Sequence, residues 1–241
     1  MELKVLGSGS QGNCFLLEGE SGSLIIEAGL PWKKIIKGMS FNIENICGCL
    51  ISHEHLDHSK AITDVLNNGV DVYTSKGTID ACKVSGYRIH IVESKKQFTV
   101  GSFTVMPFQA EHDAAEPLGF LVQHEEMGKL LFITDSYYCR YKFSGLTHIM
   151  VECNYSMDIL NSNLEKGLVH PAVAKRLLTS HFNLENVKEF LKVTDLSMVK
   201  EIVLLHLSDN NSDEKMFVDE IEKLTGKPVY VADRGLKIGL F

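Results

Sequence analysis

Apolar residues in the first two thirds of the chain come in short blocks separated by glycine-containing turns, a pattern that predicts strands. The blocks at residues 2–6, 14–18, 23–28 and 47–52 read as the first four strands. Gly19-Glu20-Ser21-Gly22 suits a hairpin between the second and third. Further strands are predicted at 70–73, 89–92, 103–108, 118–124, 130–134 and 147–151, with a hairpin turn at Met127-Gly128. Pro31 can open a helix to about Gly38, since its missing N–H costs nothing in a first turn. Residues 59–68 read as a helix that stops at Gly69. The second half is richer in helix. Pro171 opens a helix over 171–178, and Leu184, Val187, Phe190 and Leu191 share one face of a helix over 183–193. A strand at 202–205, a helix from Ser212 to about Leu224, and strands at 229–232 and 237–240 close the chain. Many strands, then helices, then strand–helix–strand predicts an α/β protein of two packed sheets with helices outside.

Composition narrows the class. Apolar residues form 44% of the 241 and charged residues 23%, the balance of a globular protein and not of a disordered one. No repeat, low-complexity tract or linker interrupts the chain, so residues 1–241 are expected to form a single domain. Lys and Arg number 24 against 31 Asp and Glu, a net charge of −7. Proteins that coat nucleic acid or anionic membrane carry the opposite sign, so any such contact must come from a local basic patch or from bound cations. No apolar run approaches the ~20 residues that span a bilayer. The first six residues make too short an apolar stretch for a signal peptide, and a cytoplasmic protein without membrane contact is expected. Six cysteines in a chain this long do not make a disulfide scaffold. Cys47 and Cys49 lack a matching second pair, so they read as buried reduced thiols.

The chemistry concentrates in Ser52-His53-Glu54-His55-Leu56-Asp57-His58, between a buried strand and a helix. Three imidazoles and two carboxylates in six residues would repel or pay desolvation as packing. As ligands they suit zinc, manganese or iron, and the spacing suggests two adjacent metals. His90, His124, His148 and His170 lie in contexts that read as packing or surface. Trp32, Lys33, Lys34 and Lys37 form either a basic rim for nucleic acid or a solvated helix face, and the solvated face is the commoner arrangement. The tyrosines and arginine of Ser136-Tyr137-Tyr138-Cys139-Arg140-Tyr141 could meet a base or phosphate, or simply pack.

The string His53 to His58 is an H-x-H-x-D-H signature and resembles the metallo-β-lactamase superfamily. The resemblance implies an αββα four-layer sandwich, two mixed sheets flanked by helices, with metals at one sheet edge. It places His53, His55 and His112 on one divalent metal, Asp57, His58 and His206 on the other, and Asp135 between them. His112, Asp135 and His206 each fall at a predicted strand end, in family order. Zinc leads the expectation, with manganese or iron as alternatives.

Gly7-Ser8-Gly9-Ser10-Gln11-Gly12-Asn13-Cys14, residues 24–30, Ser180-His181-Phe182-Asn183 and His206 to Asn211 further resemble the YycJ/WalJ-type branch of 5′-directed DNA exonucleases. Glu27 stands where that branch usually has aspartate, and is expected to steady a ligand histidine. Phe182 replaces the more usual leucine. Asp135 and His206 lie 71 positions apart, which leaves no room for the large nucleic-acid clamp of ribonuclease J-type enzymes.

The reading that follows is a hydrolase in which paired cations activate water for attack on a phosphodiester. Asp57 would orient the water, and His181 would contact the phosphate or protonate the leaving oxygen. Ser208 and Asn210 are candidate substrate contacts. Three alternatives stay open: a cyclic-nucleotide phosphodiesterase, a lactone or thioester hydrolase, and a non-catalytic binding member. A nucleic acid or nucleotide is the expected substrate, and a homodimer is an open alternative to a monomer.

Overall fold

The computed structural model describes Met1–Phe241. Its strands are β1 (Glu2–Gly7), β2 (Cys14–Gly19), β3 (Gly22–Ile26), β4 (Ile46–Leu50), β5 (Val72–Thr74), β6 (Ile89–Ile91), β7 (Phe98–Val100), β8 (Phe103–Gln109), β9 (Leu118–His124), β10 (Gly128–Ile133), β11 (His148–Glu152), β12 (Glu201–Leu205), β13 (Val229–Val231) and β14 (Lys237–Gly239). Its helices are α1 (Trp32–Gly38), α2 (Leu56–Ser59), α3 (Ile62–Asn67), α4 (Lys76–Cys82), α5 (Met157–Glu165), α6 (Pro171–Ser180), α7 (Leu184–Val193) and α8 (Glu214–Thr225). The strands make two mixed seven-stranded sheets, ordered β14-β1-β2-β3-β4-β5-β6 and β13-β12-β11-β10-β9-β8-β7. No helix is long and apolar enough to cross a membrane.

The chain divides into two compact units. The first comprises Met1–Gln109, Ala114–Gly128 and Ala232–Phe241; the second comprises Ala110–Asp113 and Lys129–Val231. In the first unit both faces of the first sheet are covered, which is why β2 and β3 read as unbroken apolar runs. Cys14, Leu16, Ile25, Cys49 and Val72 face Ile35, Ile62, Val65 and Ile79 of the helices α1, α3 and α4. On the other face Tyr73 stacks on Phe98 with ring centroids 5.3 Å apart. A Cβ placed on Gly48 would meet Val100 Cγ1 at 2.8 Å, so β7 lies close over β4. In the second unit β10 to β13 run parallel, each in register with the next. Parallel order sends the carboxyl ends of β10, β11 and β12 to one edge.

Several local expectations shift. The helix foreseen over 59–68 is two pieces, because Ala61 N–H donates to Ala28 O (2.8 Å), outside the helix. Asp213, not Ser212, caps α8, its carboxylate accepting from Met216 N–H at 2.9 Å. The pattern missed α4, α5 and β7; α4 buries only Thr78 and Ile79, and α5 only Leu160, so neither shows a clear apolar stripe. A bulge between the pairs Ser23↔Ile46 and Leu24↔Gly48 disturbs the alternation at Cys47. Cys49 is buried against the helices, whereas Cys47 Sγ lies where a Cβ on Gly22 or Gly101 would fall, and all six cysteines are free.

Candidate functional site

The first unit presents the His53–His58 segment from the carboxyl end of β4. Neighbouring loops hold its backbone. Asn13 N–H donates to Asp57 O (2.7 Å), Ala28 N–H to His58 O (2.8 Å) and Gly29 N–H to Asn13 O (2.9 Å). Ser59 Oγ donates to Glu54 O at 2.7 Å and closes the loop on itself. Position 29 must be glycine for a steric reason: a Cβ there would sit 1.7 Å from Asp57 O and 2.8 Å from Asn13 N. Gly29→Ala is therefore expected to lose about 1–3 kcal/mol of stability and to displace Asp57 and His58, with urea denaturation and metal content as the measurements.

Inside this cage the imidazoles converge. His53 Nδ1 is hydrogen-bonded to Ser52 Oγ (2.9 Å), and His53 Nε2 lies 3.1 Å from His55 Nδ1. The His53 and His58 rings are 4.2 Å apart. Asp57 Oδ2 is 3.5 Å from His58 Nε2. Glu27, fully buried, places Oε1 3.5 Å from His58 Nδ1 while Oε2 accepts from Ser52 N–H at 3.4 Å. Asn13 Nδ2 has two hydrogens for three acceptors: Gly9 O (3.2 Å), Asp57 O (3.2 Å) and His58 Nε2 (3.1 Å). His58 Nε2 can therefore be released to another partner without orphaning the amide. Glu54 stands apart from the ring cluster in its bonding, its Oε1 accepting from Ala115 N–H at 2.8 Å.

The second unit gathers its own cluster at the ends of parallel strands. Asp135 follows β10, Glu152 ends β11 and His206 follows β12. His112 Nδ1 donates to Ser180 O at 2.8 Å, which fixes its tautomer and leaves Nε2 3.6 Å from Asp135 Oδ2. Asp135 Oδ1 accepts from Thr134 Oγ1 (2.9 Å) and lies 3.0 Å from His206 Nδ1. The ligand-capable atoms of Asp135, Glu152, His181 and His206 all lie within 4.8 Å of one another. Ser208 and Asn210 sit in the loop after His206. Ser208 Oγ is 3.4 Å from both Asn211 N and Nδ2, and Asn210 O accepts from Asn163 Nδ2 at 2.8 Å, so both brace that loop.

Glu152 was not among the residues singled out from the sequence, yet it organises this cluster. Its carboxylate is fully buried; Oε1 accepts from His181 Nδ1 (2.6 Å) and His206 Nδ1 (3.3 Å), and Oε2 from Ser136 N–H (2.9 Å) and Phe182 N–H (3.2 Å). His181 is thus anchored through Nδ1 by Glu152. The available signal was a carboxylate ending an apolar strand, level with Asp135 and His206.

Electrostatics follow from this layout. Burial opposes charging His206, but Asp135 and Glu152 outweigh it and push its imidazole up to about 10. His181 is also raised, burial again being overcome by Glu152. Burial pulls His112 below its ordinary range, and Asp135 only partly offsets it. Burial would raise Glu152, but His181 beside it holds the carboxyl below its usual range. Backbone strain marks the same places. Glu27, Asp135 and His206 have φ of 68°, 41° and 54°, left-handed values that cost a non-glycine residue about 1–3 kcal/mol.

The donor set decides what could sit against these clusters. Imidazole nitrogens and carboxylate oxygens are held at strand ends with second partners that fix ring tautomers and orientations. That is the chemistry of a divalent-cation site, and His53 Nε2 and His55 Nδ1, already 3.1 Å apart, suit one cation. The histidines outside the clusters are structural. His90 bonds Asp71, His124 bonds Ser21 and Ser102, buried His148 bonds Glu201, and His170 caps α6.

Comparison with known proteins agrees in kind. Residues 36–207 match the beta-lactamase superfamily domain. The exodeoxyribonuclease YycJ of Bacillus anthracis is 30% identical over 243 residues, covering 92% of this chain and 89% of that protein. The exodeoxyribonuclease WalJ of Streptococcus pneumoniae is 29% identical over 229 residues, covering 88% and 83%. The crystal structure of the metallo-beta-lactamase fold protein YhfI from Bacillus subtilis superposes with a TM-score of 0.74 over 98% of both chains, at 15% identity.

Proposed function

The chain belongs to the beta-lactamase superfamily, and on that premise we propose that it is a metal-dependent phosphodiesterase acting on nucleic acid, an exonuclease of DNA. The reading rests on one observation above the others: each unit carries a set of buried and half-buried imidazoles and carboxylates held at strand ends, in the order the superfamily uses. We assign His53, His55 and His112 to one divalent cation and Asp57, His58 and His206 to a second, with Asp135 shared. Nitrogen and carboxylate donors favour zinc, with manganese or iron as the alternatives. Divalent cations bound there supply an activated water and neutralise charge on phosphate oxygens.

The protein's own groups do the rest. Ser52 and Ser180 fix the ring orientations of His53 and His112, and Glu27 Oε1 faces His58 Nδ1 at 3.5 Å. Asp57, partly exposed, orients the attacking water. His181 keeps its proton above the usual range because Glu152 holds Nδ1–H, and its Nε2–H is then the donor to the phosphate or the leaving oxygen.

A hydrolysis panel tests the reading. It compares 5′-phosphorylated DNA, RNA, a cyclic mononucleotide, a lactone and a thioester, with zinc or manganese. Turnover of DNA is expected to exceed the others and to vanish on chelation, returning with added metal. Hydrolysis of the cyclic nucleotide alone, or of the lactone or thioester, overturns the nuclease assignment.

A further inference from the structure

The net charge of −7 hides a local reversal. A cavity of about 270 Å³ in the first unit is lined by Lys4, Lys34, Lys37, Arg234 and Lys237, and no acidic residue lines it. The cations come from three distant segments: β1, α1, and the turn leading into β14. Its wall is tight where the Leu6 side chain presses on Gly38, at a place where a Cβ would fall 2.4 Å from Leu6 Cδ2. Lys4 pairs with Glu2 and Glu18. Lys34, Lys37, Arg234 and Lys237 form no ion pair. Moreover, Lys4 and Lys237 are direct register partners across β1 and β14. Like charges placed opposite one another on neighbouring strands destabilise a sheet, and here Glu2 and Glu18 already offset the Lys4 side of that cost.

Topology connects this cavity to the His53–His58 loop. β3 is parallel to β4, and β2 is antiparallel to both β1 and β3, so β1, β3 and β4 run the same way. Their carboxyl ends share one sheet edge. β14 is antiparallel to β1, so Lys237 and the turn residues Arg234–Leu236 that precede it reach the same edge. The chain then runs from β1 into the Gly9–Asn13 turn, whose Asn13 bonds Asp57 and His58. Three strand spacings of ~4.8 Å put the ends of β1 and β4 about 14 Å apart. The ~3.4 Å rise of duplex DNA is measured along the helix axis, and successive phosphates of an extended single strand lie about twice as far apart, so the gap is about two phosphate steps.

We propose that this cavity holds the phosphodiester backbone of a single DNA strand about two nucleotides from the bond that is cut. The strand lies along the edge of the first sheet, with Lys34, Lys37, Arg234 and Lys237 replacing its counterions. The assignment rests on the phosphodiesterase reading for its function, though the binding itself does not need the metal site. It also gives an acidic protein a way to engage a polyanion: the cations are concentrated in one place, and all but Lys4 are unpaired.

The test is the triple variant Lys34→Ala/Lys37→Ala/Arg234→Ala with a fluorescent, 5′-phosphorylated 20-nucleotide single strand, followed by anisotropy in EDTA across a salt series. Loss of three phosphate contacts is expected to flatten the slope of log K against log salt by about 2, at ~0.7 per contact on single strands. Affinity at moderate salt falls at least tenfold. With metal restored, the preference in kcat/KM for the 20-mer over a dinucleotide is expected to fall at least tenfold, while circular dichroism matches wild type. An unchanged salt slope overturns the proposal. So does displacement of the wild-type protein's 20-mer by a 5′-mononucleotide at equal affinity, which marks a small-ligand pocket. If the 20-mer binds through these residues but no phosphodiester is cleaved, the cavity assignment stands and the catalytic reading falls.

Discussion

Replacing Glu152 by alanine is expected to cost about 3–5 kcal/mol of folding stability, the scale for breaking a buried charge cluster from one side. Three donors lose their acceptor at once, His181 Nδ1 and the backbone N–H groups of Ser136 and Phe182, while His206 Nδ1 loses one of its two carboxylates and keeps Asp135 Oδ1 at 3.0 Å. The two backbone N–H groups cannot turn to water, because Ser136 and Phe182 are buried, whereas His181 keeps a slight exposure. Glu152→Gln keeps the volume and one acceptor oxygen, and is expected to lose less. Urea denaturation in the presence of a chelator measures both variants.

The pH dependence of that loss has a definite sign. His181 and His206 have raised values, so their contribution is complete below the unfolded value of 6.5 and disappears as pH climbs toward about 10, where His206 loses its proton. Glu152 has a lowered value, so its contribution is complete above the unfolded value of 4.5 and disappears as pH falls through its folded value. The penalty of Glu152→Ala is therefore largest between 4.5 and 6.5 and shrinks on either side. A penalty that is flat from acid to alkaline pH sinks the account of Glu152 as the counter-charge of the two histidines.

Glu152 also shows where the sequence stops being informative. His53 to His58 was legible because its donors are contiguous, and nothing but a ligand or solvent role suits three imidazoles in six positions. His112, Asp135 and His206 become candidates only through the family resemblance, which supplies their order after the strands. Glu152 ends an apolar run, but an isolated carboxylate at a strand end reads as a surface charge, and only the parallel register with β10 and β12 sets it beside Asp135 and His206. The cationic cavity was half visible. Lys34 and Lys37 appeared as a helix face, while Lys4, Arg234 and Lys237 join them through pairing of the first and last strands, which no local pattern encodes. The same limit explains the broken helix at Ala61, whose N–H answers to a loop more than thirty residues earlier in the chain.

Removing both Asp57 and His58 side chains is expected to lower turnover of 5′-phosphorylated DNA by about 10³-fold, the upper scale for losing one electrostatic stabiliser of a transition state. Bound metal, read by inductively coupled plasma spectrometry, is expected to fall from two ions per chain to one. The loop itself should persist, because backbone groups hold it: Asn13 N–H on Asp57 O and Ala28 N–H on His58 O survive truncation of either side chain. What does not survive is the partner of Glu27, whose Oε1 lies 3.5 Å from His58 Nδ1 in a fully buried setting. Asp57→Asn separates the two effects, since it keeps shape and leaves the His58–Glu27 contact in place while removing an anionic oxygen. That variant is expected to keep the wild-type melting temperature and lose most of the turnover. If Asp57→Ala/His58→Ala retains two metals and full turnover, the assignment of this loop to the reaction is wrong. If turnover falls only in proportion to the folded fraction, the residues serve the fold and not the chemistry.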